Sequence, residues 1–561
     1  MLIRHRKVVL AVLMLCVFSF ALTAERIETG KDGMVVSANQ LASDAGALIL
    51  QLGGNAVDAA AAVGFALCVV EPYGSNLGGE GYMLLSLADG RDIAIDYKSQ
   101  APGHVAYDHD VSQNNGPEAT CIPGVVAGLS LAVEQYGTLP LSVVLAPAIQ
   151  YARYGFPVDP VMFSALGSLY DSIEDPLTDE TIAPIFFPDG LIPEVGTILY
   201  NEPQAKALEL IAEDGAEAFY RGDIADAIVE TMGGFFTSAD LQRYQAVVRD
   251  ALISEYRGLE IIGAPAIISG ATIAQILNIL DNFDMSIYTG WDDPEFMHLL
   301  SQAQLLGAAD LGFMLDPDFY EIPYDALLSQ EYADGRAALI DLETTFPYQG
   351  TPAGDPWGTA ETVGVVKEPP SFSTTHYSVL DKDGNAVSTT QTLSSFWGSK
   401  VFVPEYGFFM NNEIHNFQAY DPENPDNPQA IGPYKSPLTI LVPTVVRNPD
   451  GSVYMVGGTS GGINIVSTVS KILVSVIDLG MTLDEAILAP RFTAMPFYPV
   501  MLHELGFPEE TMAALAEKGH GFYPFPDPGS MFGSPNFIIV DEDGLMTGVA
   551  TFRRDGGATA P

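Results

Sequence analysis

The chain has 561 residues, of which 48% are hydrophobic, so it is long enough for roughly two to four domains and apolar enough for a large core. Its 71 acidic and 24 basic residues give a formal net charge of −47 at pH 7. Such an anionic surface repels nucleic-acid phosphates and therefore excludes non-specific nucleic-acid binding; it is typical of proteins that stay soluble at high salt.

The first 24 residues have the pattern of a secretory signal peptide. A basic start (residues 4–7) is followed by an apolar run (residues 8–22) and then by the small residues Thr23 and Ala24. The alternative is an N-terminal membrane anchor, but a bilayer span needs about 20 apolar residues and this run is shorter. We therefore expect cleavage after Ala24, a secreted or periplasmic location, and no membrane span after removal of the signal.

Two cysteines remain in the mature chain. Cys68 lies in an apolar run and is expected to be a buried core thiol. The sequence is compatible with a free Cys68 and with a Cys68–Cys121 disulfide, because it does not give the distance between the two residues. The eight histidines are scattered, and neither HExxH nor CxxC occurs, so we expect no metal site and no cofactor.

The N-terminal part of the mature chain alternates helical and strand patterns. Apolar periodicity predicts helices over residues 35–52 and 56–70, separated by Gly53-Gly54-Asn55. The second helix is apolar nearly all round and is expected to be buried. The glycine-rich loop 71–81 lacks both GxGxxG and a GK[ST] ending, so it does not indicate a nucleotide site.

The middle of the chain continues with short elements up to a linker. The predicted elements are strands over 82–87, 93–97 and 256–262, and helices on both sides of 137–140, across 201–232, from an N-cap at Ser238, and over 271–283. Residues 361–372 contain two consecutive prolines and predict an exposed linker.

Residues 373–398 predict a hairpin with an unusual number of hydroxyl groups. The turn at 381–385 (DKDGN) separates two strands, because Gly384 can adopt a positive φ. Antiparallel pairing brings Thr374 at one end next to Thr392 at the other. Two threonines that share a hydrogen bond are one way to hold a weak hydroxyl nucleophile. The alternative is an ordinary surface hairpin.

The C-terminal part contains a second candidate for nucleophilic chemistry. Residues 421–433 predict a mobile loop, 439–447 and 452–456 strands, and 463–479 and 483–488 helices. Between the strands and the helices, Gly458-x-Ser460-x-Gly462 satisfies G-x-S-x-G, so Ser460 could form a nucleophile elbow with His503 or His520 as the base. Only about 100 residues follow, which is few for an α/β-hydrolase.

The hairpin carries the motif Thr374-Thr375-His376-Tyr377-Ser378, which resembles the T-[TA]-H-[YL]-S motif of the gamma-glutamyltransferase (gamma-glutamyltranspeptidase) family of N-terminal-nucleophile hydrolases. The resemblance covers nearly all of residues 30–550. It implies an α+β fold, a four-layer αββα sandwich forming one compact domain. It also implies self-cleavage between Ser373 and Thr374 into a large subunit (residues 25–373) and a small subunit (residues 374–561).

The resemblance also implies roles in the chemistry. Thr374 would be the nucleophile once it is N-terminal, with its own α-amine (pKa ~7.7–8.0) as the base. Thr392 would position that hydroxyl. Gly461 and Gly462 match the glycines of a G-[ST]-x-G-G turn and would offer backbone N–H groups to the oxyanion.

Substrate recognition departs from the family pattern. At the positions expected to bind the glutamyl group, this sequence has Lys98 where the family has an arginine, Thr439-Ile440 where it has two serines, Asn416 where it has an aspartate and Ser394 where it has an asparagine. Glu413 follows Asn411-Asn412 as the family pattern expects. Lys98 loses the bidentate fork and Asn416 loses the counter-charge. Removing one partner of a buried charge pair costs about 2–5 kcal/mol, enough to change substrate preference.

The sequence therefore predicts an exported, self-processing N-terminal-threonine amidohydrolase or acyltransferase, acting on γ-glutamyl amides of the glutathione type. One alternative is an acylase with a drifted pocket for glutaryl-like amides. Another is a non-catalytic exported binding homologue. The expected partners are a small acyl amide and the two subunits from one precursor, with no nucleic acid, metal or cofactor.

Overall fold

The computed structural model describes residues 26–173, 179–359, 373–525, 532–551 and 553–561. The predicted signal segment and the predicted linker 361–372 lie outside the described residues. Within the described ranges, the helices are all too short or too polar to cross a membrane.

The strands, in chain order, are β1 (Ile27–Gly30), β2 (Gly33–Ser37), β3 (Glu80–Ser86), β4 (Asp92–Tyr97), β5 (Phe156–Pro157), β6 (Ile198–Leu199), β7 (Val247–Asp250), β8 (Leu252–Tyr256), β9 (Leu259–Gly263), β10 (Ser373–Asp381), β11 (Ala386–Ser394), β12 (Phe402–Val403), β13 (Phe408–Phe409), β14 (Thr444–Arg447), β15 (Val453–Gly458), β16 (Phe492–Thr493), β17 (Met501–Glu504), β18 (Phe522–Phe525), β19 (Asn536–Val540), β20 (Met546–Ala550) and β21 (Gly557–Thr559).

The α-helices, in chain order, are α1 (Gln40–Gln51), α2 (Ala56–Val70), α3 (Val125–Tyr136), α4 (Leu141–Val144), α5 (Ala146–Tyr154), α6 (Pro160–Ser172), α7 (Ala183–Phe186), α8 (Glu202–Asp214), α9 (Ala216–Tyr220), α10 (Asp223–Thr231), α11 (Ser238–Arg243), α12 (Gly270–Leu280), α13 (Pro294–Ala309), α14 (Tyr324–Leu327), α15 (Gln330–Ala337), α16 (Ile465–Ile477), α17 (Leu483–Leu488) and α18 (Glu509–Glu517).

Two seven-stranded antiparallel sheets form the centre of the molecule. Sheet I has the order β21-β2-β10-β11-β3-β4-β7, and sheet II the order β1-β20-β19-β15-β14-β9-β8. Their inner faces pack against each other through side chains such as Val36 and Leu84 from sheet I and Val445 and Ile538 from sheet II. Successive residues of a strand point to opposite faces, so each sheet also has an apolar outer face that must be covered.

Helices cover both outer faces. Every residue of α2 is buried against sheet I, and Asn55 caps this helix in a capping box with Asp58. Helices α12, α13 and α16 pack on the outer side of sheet II. The result is the four-layer αββα sandwich expected from the resemblance, and the predicted α+β fold is confirmed.

The hairpin of residues 373–394 lies in the middle of sheet I. Strand β10 pairs with β2 on one side and with β11 on the other, and β11 pairs with β3. Every residue of both strands is buried, so the surface-hairpin alternative is wrong. Gly384 has a φ of +90° in the connecting turn, as predicted.

Several predicted boundaries are corrected. Val35 and Val36 belong to strand β2, because the two faces of sheet I bury both β-branched side chains, and the helix begins only at Gln40. The predicted N-cap at Ser238 is wrong by one residue: Thr237 is the cap and forms a capping box with Asp240.

Two predicted strands also differ from the structure. The segment predicted as one strand over 256–262 is a hairpin, β8–β9, which turns at Arg257 and Gly258 with φ of 52° and 78°. The strand predicted from residue 439 begins only at Thr444. In the loop before it, residues 429–432 of the predicted mobile loop are buried, and the Lys435 ammonium donates hydrogen bonds to the carbonyls of Pro428 and Ala430 at 2.7 Å each.

Candidate active site

The two threonines singled out by the sequence lie within reach of the peptide bond before Thr374. The Thr374 hydroxyl donates a hydrogen bond to Thr392 Oγ1 at 3.4 Å, and Thr392 Oγ1 donates to the Ser373 carbonyl at 2.6 Å. The backbone N–H of Ser394 donates to Thr392 Oγ1 at 2.7 Å and fixes its orientation. The Thr392 hydroxyl therefore links the Thr374 hydroxyl to the Ser373 carbonyl, which Thr374 would have to attack.

An irregularity in the strand pairing places Thr374 in this position. Ser373 pairs with Ser394 and Thr375 pairs with Gln391, so the register shifts between Ser373 and Thr375. A bulge of this kind re-aims a side chain and is common next to active sites. The regular alternation of β10 predicts the hairpin, and the bulge turns one of its hydroxyls toward Thr392.

A buried arginine holds the other side of Thr374. Arg554 donates hydrogen bonds to the Thr374 carbonyl at 2.7 Å and to the Glu71 carboxylate at 2.8 Å. Burial raises the pKa of Glu71 above the ordinary carboxyl value, against the opposing effect of the Arg554 charge. Sequence reasoning missed both residues, because they lie 303 positions before and 180 positions after Thr374 and carry no local motif.

Five of the six residues predicted to bind the acyl group, all but Ile440, come together in one hydrogen-bonded network. Asn416 Nδ2 donates to Ser394 Oγ at 3.2 Å and to Glu413 Oε2 at 2.6 Å, and Thr439 Oγ1 donates to the same carboxylate oxygen at 3.1 Å. Lys98 Nζ in turn donates to Thr439 Oγ1. Ser394 connects this recognition network to the threonine pair.

A residue that the sequence analysis did not select completes the network. The Glu80 carboxylate forms an ion pair with Lys98 through Oε1 and accepts hydrogen bonds from the N–H of Ser99 at 2.9 Å and from its hydroxyl through Oε2. Glu80 pairs with Thr392 across strands β3 and β11, so the two side chains share a face. The available signal was a carboxylate interrupting the glycine run Gly78-Gly79-Glu80-Gly81.

Burial dominates the electrostatics of this network. It raises the pKa of Glu413 above the ordinary carboxyl value, and the nearby charge of Glu80 acts in the same direction. It lowers the pKa of His415 to about 4, so this imidazole is neutral at pH 7. His415 Nε2 lies 3.2 Å from Ser394 Oγ at the edge of the network.

The glycine turn after β15 lies close to strand β10. A Cβ atom at Gly458 would come within 2.4 Å of the His376 ring, so the two chain segments approach as closely as glycine allows. Gly461 and Gly462 have φ of 130° and 57° and begin a short 3₁₀-helix over residues 462–464. The first N–H groups of a helix have no partner within it, which leaves them able to bind an oxyanion.

Neither of the two histidines expected to serve the nucleophile-elbow alternative hydrogen bonds to Ser460 among the described residues. Ser460 Oγ accepts a hydrogen bond from the Ser534 N–H at 3.0 Å. His503 Nδ1 lies 2.8 Å from the Glu504 carbonyl, and His520 is held between His298 and Tyr348 at 2.8 Å from each. In the described ranges, neither candidate histidine hydrogen bonds to Ser460, so this geometry does not support the elbow.

One predicted recognition residue, Ile440, lies apart from the network. The Ile440 side chain packs in the apolar cluster between sheet II and its helices. Cys68 and Cys121 are both free and buried, so the structure contains no disulfide between them. A cavity of about 860 Å³ lies between α3 and the region of α8–α9, and none of the predicted site residues lines it. The candidate site is therefore defined by its polar network rather than by that cavity.

This αββα sandwich is that of the N-terminal-nucleophile hydrolases, and the molecule is an amidohydrolase of that class. The chain belongs to the gamma-glutamyltranspeptidase family, whose sequence model matches residues 42–560. It is 37% identical over 551 residues to a glutathione hydrolase proenzyme of Escherichia coli, with 94% of this chain and 92% of that protein covered.

Two further comparisons extend the family likeness to acylases. The chain is 35% identical over 552 residues to the acylase ACY 1 proenzyme of a Pseudomonas species, covering 95% of this chain and 94% of that protein. Its fold is similar to the crystal structure of a cephalosporin acylase from Bacillus halodurans, with a TM-score of 0.84, 28% identity, and coverage of 97% of this chain and 98% of that one.

Proposed function

We propose that this chain is an exported, self-processing amidohydrolase that cleaves γ-glutamyl or related small acyl amides through an ester on Thr374. The observation that carries the proposal is the hydrogen-bonded chain from the Thr374 hydroxyl through Thr392 to the Ser373 carbonyl. Its relatives include a glutathione hydrolase and an acylase, and these activities define the range of amides to consider.

In the self-processing step, Thr374 Oγ1 attacks the carbonyl carbon of Ser373. The new C–O bond forms as the C–N bond to Thr374 breaks, and the hydroxyl proton passes to the released amine. Thr392 assists by donating a hydrogen bond to the carbonyl oxygen as it gains negative charge. Water then hydrolyses the ester, which leaves a carboxylate on Ser373 and a free hydroxyl and amine on Thr374.

In the catalytic cycle, the new α-amine of Thr374 would act as the base. With a pKa of ~7.7–8.0 it can accept the hydroxyl proton near neutral pH and pass it to the leaving amine. The N–H groups of Gly461 and Gly462 would stabilise the oxyanion. Water, or an amino compound in the transfer reaction, then resolves the acyl ester and regenerates Thr374.

The predicted signal segment of residues 1–24 supports export, and its removal together with self-cleavage before Thr374 would leave a large subunit of residues 25–373 and a small subunit of residues 374–561. Acylase activity on amides other than γ-glutamyl is the second candidate. It is favoured by the acylases among the similar proteins and by lysine at position 98 and asparagine at position 416.

Intact mass measurement tests the proposal. The purified wild-type protein should convert to two chains that meet between Ser373 and Thr374, and Thr374→Ala should remain one chain, because it has no hydroxyl to attack. Thr374→Ser is the matched control and should still cleave. Cleavage of Thr374→Ala at the same bond, or an uncut wild-type chain after long incubation, would contradict the proposal and favour a non-catalytic binding role.

A further inference from the structure

Lys98, the cation expected to bind a substrate carboxylate, already has a carboxylate partner from its own chain. Its ammonium is ion-paired with Glu80, and the side chains of Lys98 and Glu80 are 1% and 0% exposed. Glu80 is anchored by two further hydrogen bonds from Ser99, so it cannot swing away without breaking all three contacts. A substrate carboxylate arriving here would meet the negative charge of Glu80 as well as the positive charge of Lys98.

Within the described residues, two acceptor oxygens of the network lack a hydrogen-bond partner, as does His415 Nδ1 at its edge. Glu413 Oε1 and Asn416 Oδ1 are buried and have no hydrogen-bond partner within the described parts of the chain. The orientation of the Asn416 amide follows from its Nδ2, which faces the Glu413 carboxylate and Ser394 Oγ. Buried acceptors without partners are costly, so a ligand that supplies donors here is favoured.

The charges of the network also favour a ligand that carries an ammonium. With Glu413 ionised, the network holds two carboxylates, Glu80 and Glu413, against the one ammonium of Lys98. Arg554, on the other side of Thr374, is itself paired with Glu71. An acyl group with an ammonium would complete the balance, whereas an acyl group with a carboxylate would add a third negative charge to the same buried space.

We propose that the recognition network selects acyl groups that carry an amine but no carboxylate, with 4-aminobutanoyl amides as the simplest example. Glu80 takes the place of the substrate carboxylate on Lys98, and Glu413 with Asn416 binds the substrate ammonium. The inference rests on the proposed amidohydrolase function and names its donor class. It is opposed to the glutaryl-like alternative, which requires an unpaired cation in the pocket.

Four p-nitroanilides that differ only in these two groups test the inference: γ-glutamyl (amine and carboxylate), 4-aminobutanoyl (amine only), glutaryl (carboxylate only) and butanoyl (neither). Release of p-nitroaniline by the processed wild-type enzyme gives kcat/KM above the enzyme-free rate. We expect 4-aminobutanoyl to exceed glutaryl by about 10-fold or more, because the misplaced charge is buried, and γ-glutamyl to offer no gain over 4-aminobutanoyl.

Glu80→Gln sharpens the test by leaving Lys98 without its counter-charge. It should raise kcat/KM for glutaryl and γ-glutamyl relative to 4-aminobutanoyl by about 10-fold or more. The matched control is Glu510→Gln, which makes the same chemical change on the exposed face of α18 and should leave the ratios unchanged.

The outcomes separate the two proposals. A wild-type preference for glutaryl or γ-glutamyl over 4-aminobutanoyl would overturn the inference and leave the amidohydrolase standing. Unchanged donor ratios in a folded, processed Glu80→Gln enzyme would also overturn it. Failure of the wild-type protein to hydrolyse any of the four anilides would overturn the proposed function together with the inference. The wild-type ratios decide the matter even where Glu80→Gln fails to fold.

Discussion

The two ends of the candidate site are built by different means. At the nucleophile end, neutral hydroxyls and backbone groups lie at positions set by strand pairing, with Thr374 facing Thr392 across β10 and β11. At the recognition end, buried charges from three separate segments meet: Glu80 at the start of β3, Lys98 after β4 and Glu413 after β13. Register determines the first arrangement, whereas charge pairing determines the second.

This difference explains how each end tolerates change. A hydroxyl that must reach one carbonyl depends on its strand and has few substitutes. A buried charge needs an opposite charge nearby, and that partner can come from the substrate or from the protein itself. On the proposed donor selectivity, Glu80 supplies the carboxylate that would otherwise come from the substrate, and the nucleophile end needs no matching change.

The largest effect should come from breaking the charge pair of the recognition end. Lys98→Met leaves the Glu80 carboxylate buried without its ion-pair partner, a change that costs about 3–5 kcal/mol in buried pairs. We expect a clear fall in the urea midpoint and in the thermal unfolding midpoint of the purified protein.

The double variant Glu80→Gln with Lys98→Met is the control for this prediction. Removing both charges should recover most of the lost stability, with a coupling energy of at least about 2 kcal/mol between the two positions. Additive losses in the two single variants would mean that the charges do not interact, and the recognition end would then be no different in kind from the nucleophile end.

How far the sequence predicts the molecule follows the same division. The hairpin, its turn at Gly384 and the approach of its two ends follow from alternation and turn chemistry, which act over a few residues, whereas the bulge that turns Thr374 toward Thr392 does not. The length and burial of α2 follow from its uniformly apolar composition. These features were predicted because their causes lie in neighbouring residues.

Partners distant in sequence were not predicted. Glu80 and Lys98 meet because β3 and β4 run antiparallel, yet nothing near Lys98 reveals that its charge is already paired. Arg554 reaches the Thr374 carbonyl from the last residues of the chain. The turn that divides the segment predicted as one strand over 256–262 was also missed. It is formed with a positive φ at Arg257, and arginine has no turn preference.

A smaller effect is expected at the nucleophile end from Thr392→Ala. The change removes the hydrogen bond to the Ser373 carbonyl and the acceptor for the Thr374 hydroxyl. Losing one such interaction in the transition state should slow self-cleavage by about 10- to 100-fold, corresponding to about 1.4–2.7 kcal/mol. The measurement is the rate of conversion to two chains, followed by intact mass.

Thr392→Ser is the matched control, because it keeps the hydroxyl and removes only a methyl group. It should cleave at a rate within a few-fold of wild type. If Thr392→Ser and Thr392→Ala were slowed equally, packing of the methyl group rather than the hydroxyl would be the feature that matters, and the hydrogen-bonded chain would lose its role.

The smallest and most specific effect concerns the pH dependence of donor binding. Burial and the charge of Glu80 raise the pKa of Glu413, so its carboxyl stays protonated to higher pH than an exposed glutamate. Only the ionised form pairs with a substrate ammonium, and kcat/KM for the 4-aminobutanoyl anilide should therefore rise with pH through this raised pKa.

His415, with a pKa lowered to about 4, stays neutral across that range and does not contribute. On the proposed mechanism, the Thr374 amine would produce its own rising limb near ~7.7–8.0, which the butanoyl anilide would report alone because it has no ammonium. Glu413→Gln should remove the additional limb for the 4-aminobutanoyl donor by a few-fold change in KM and leave the butanoyl profile as it was. An identical pH profile for the two donors in the wild-type enzyme would show that Glu413 does not bind the ammonium, and the recognition end would then hold its charges for stability alone.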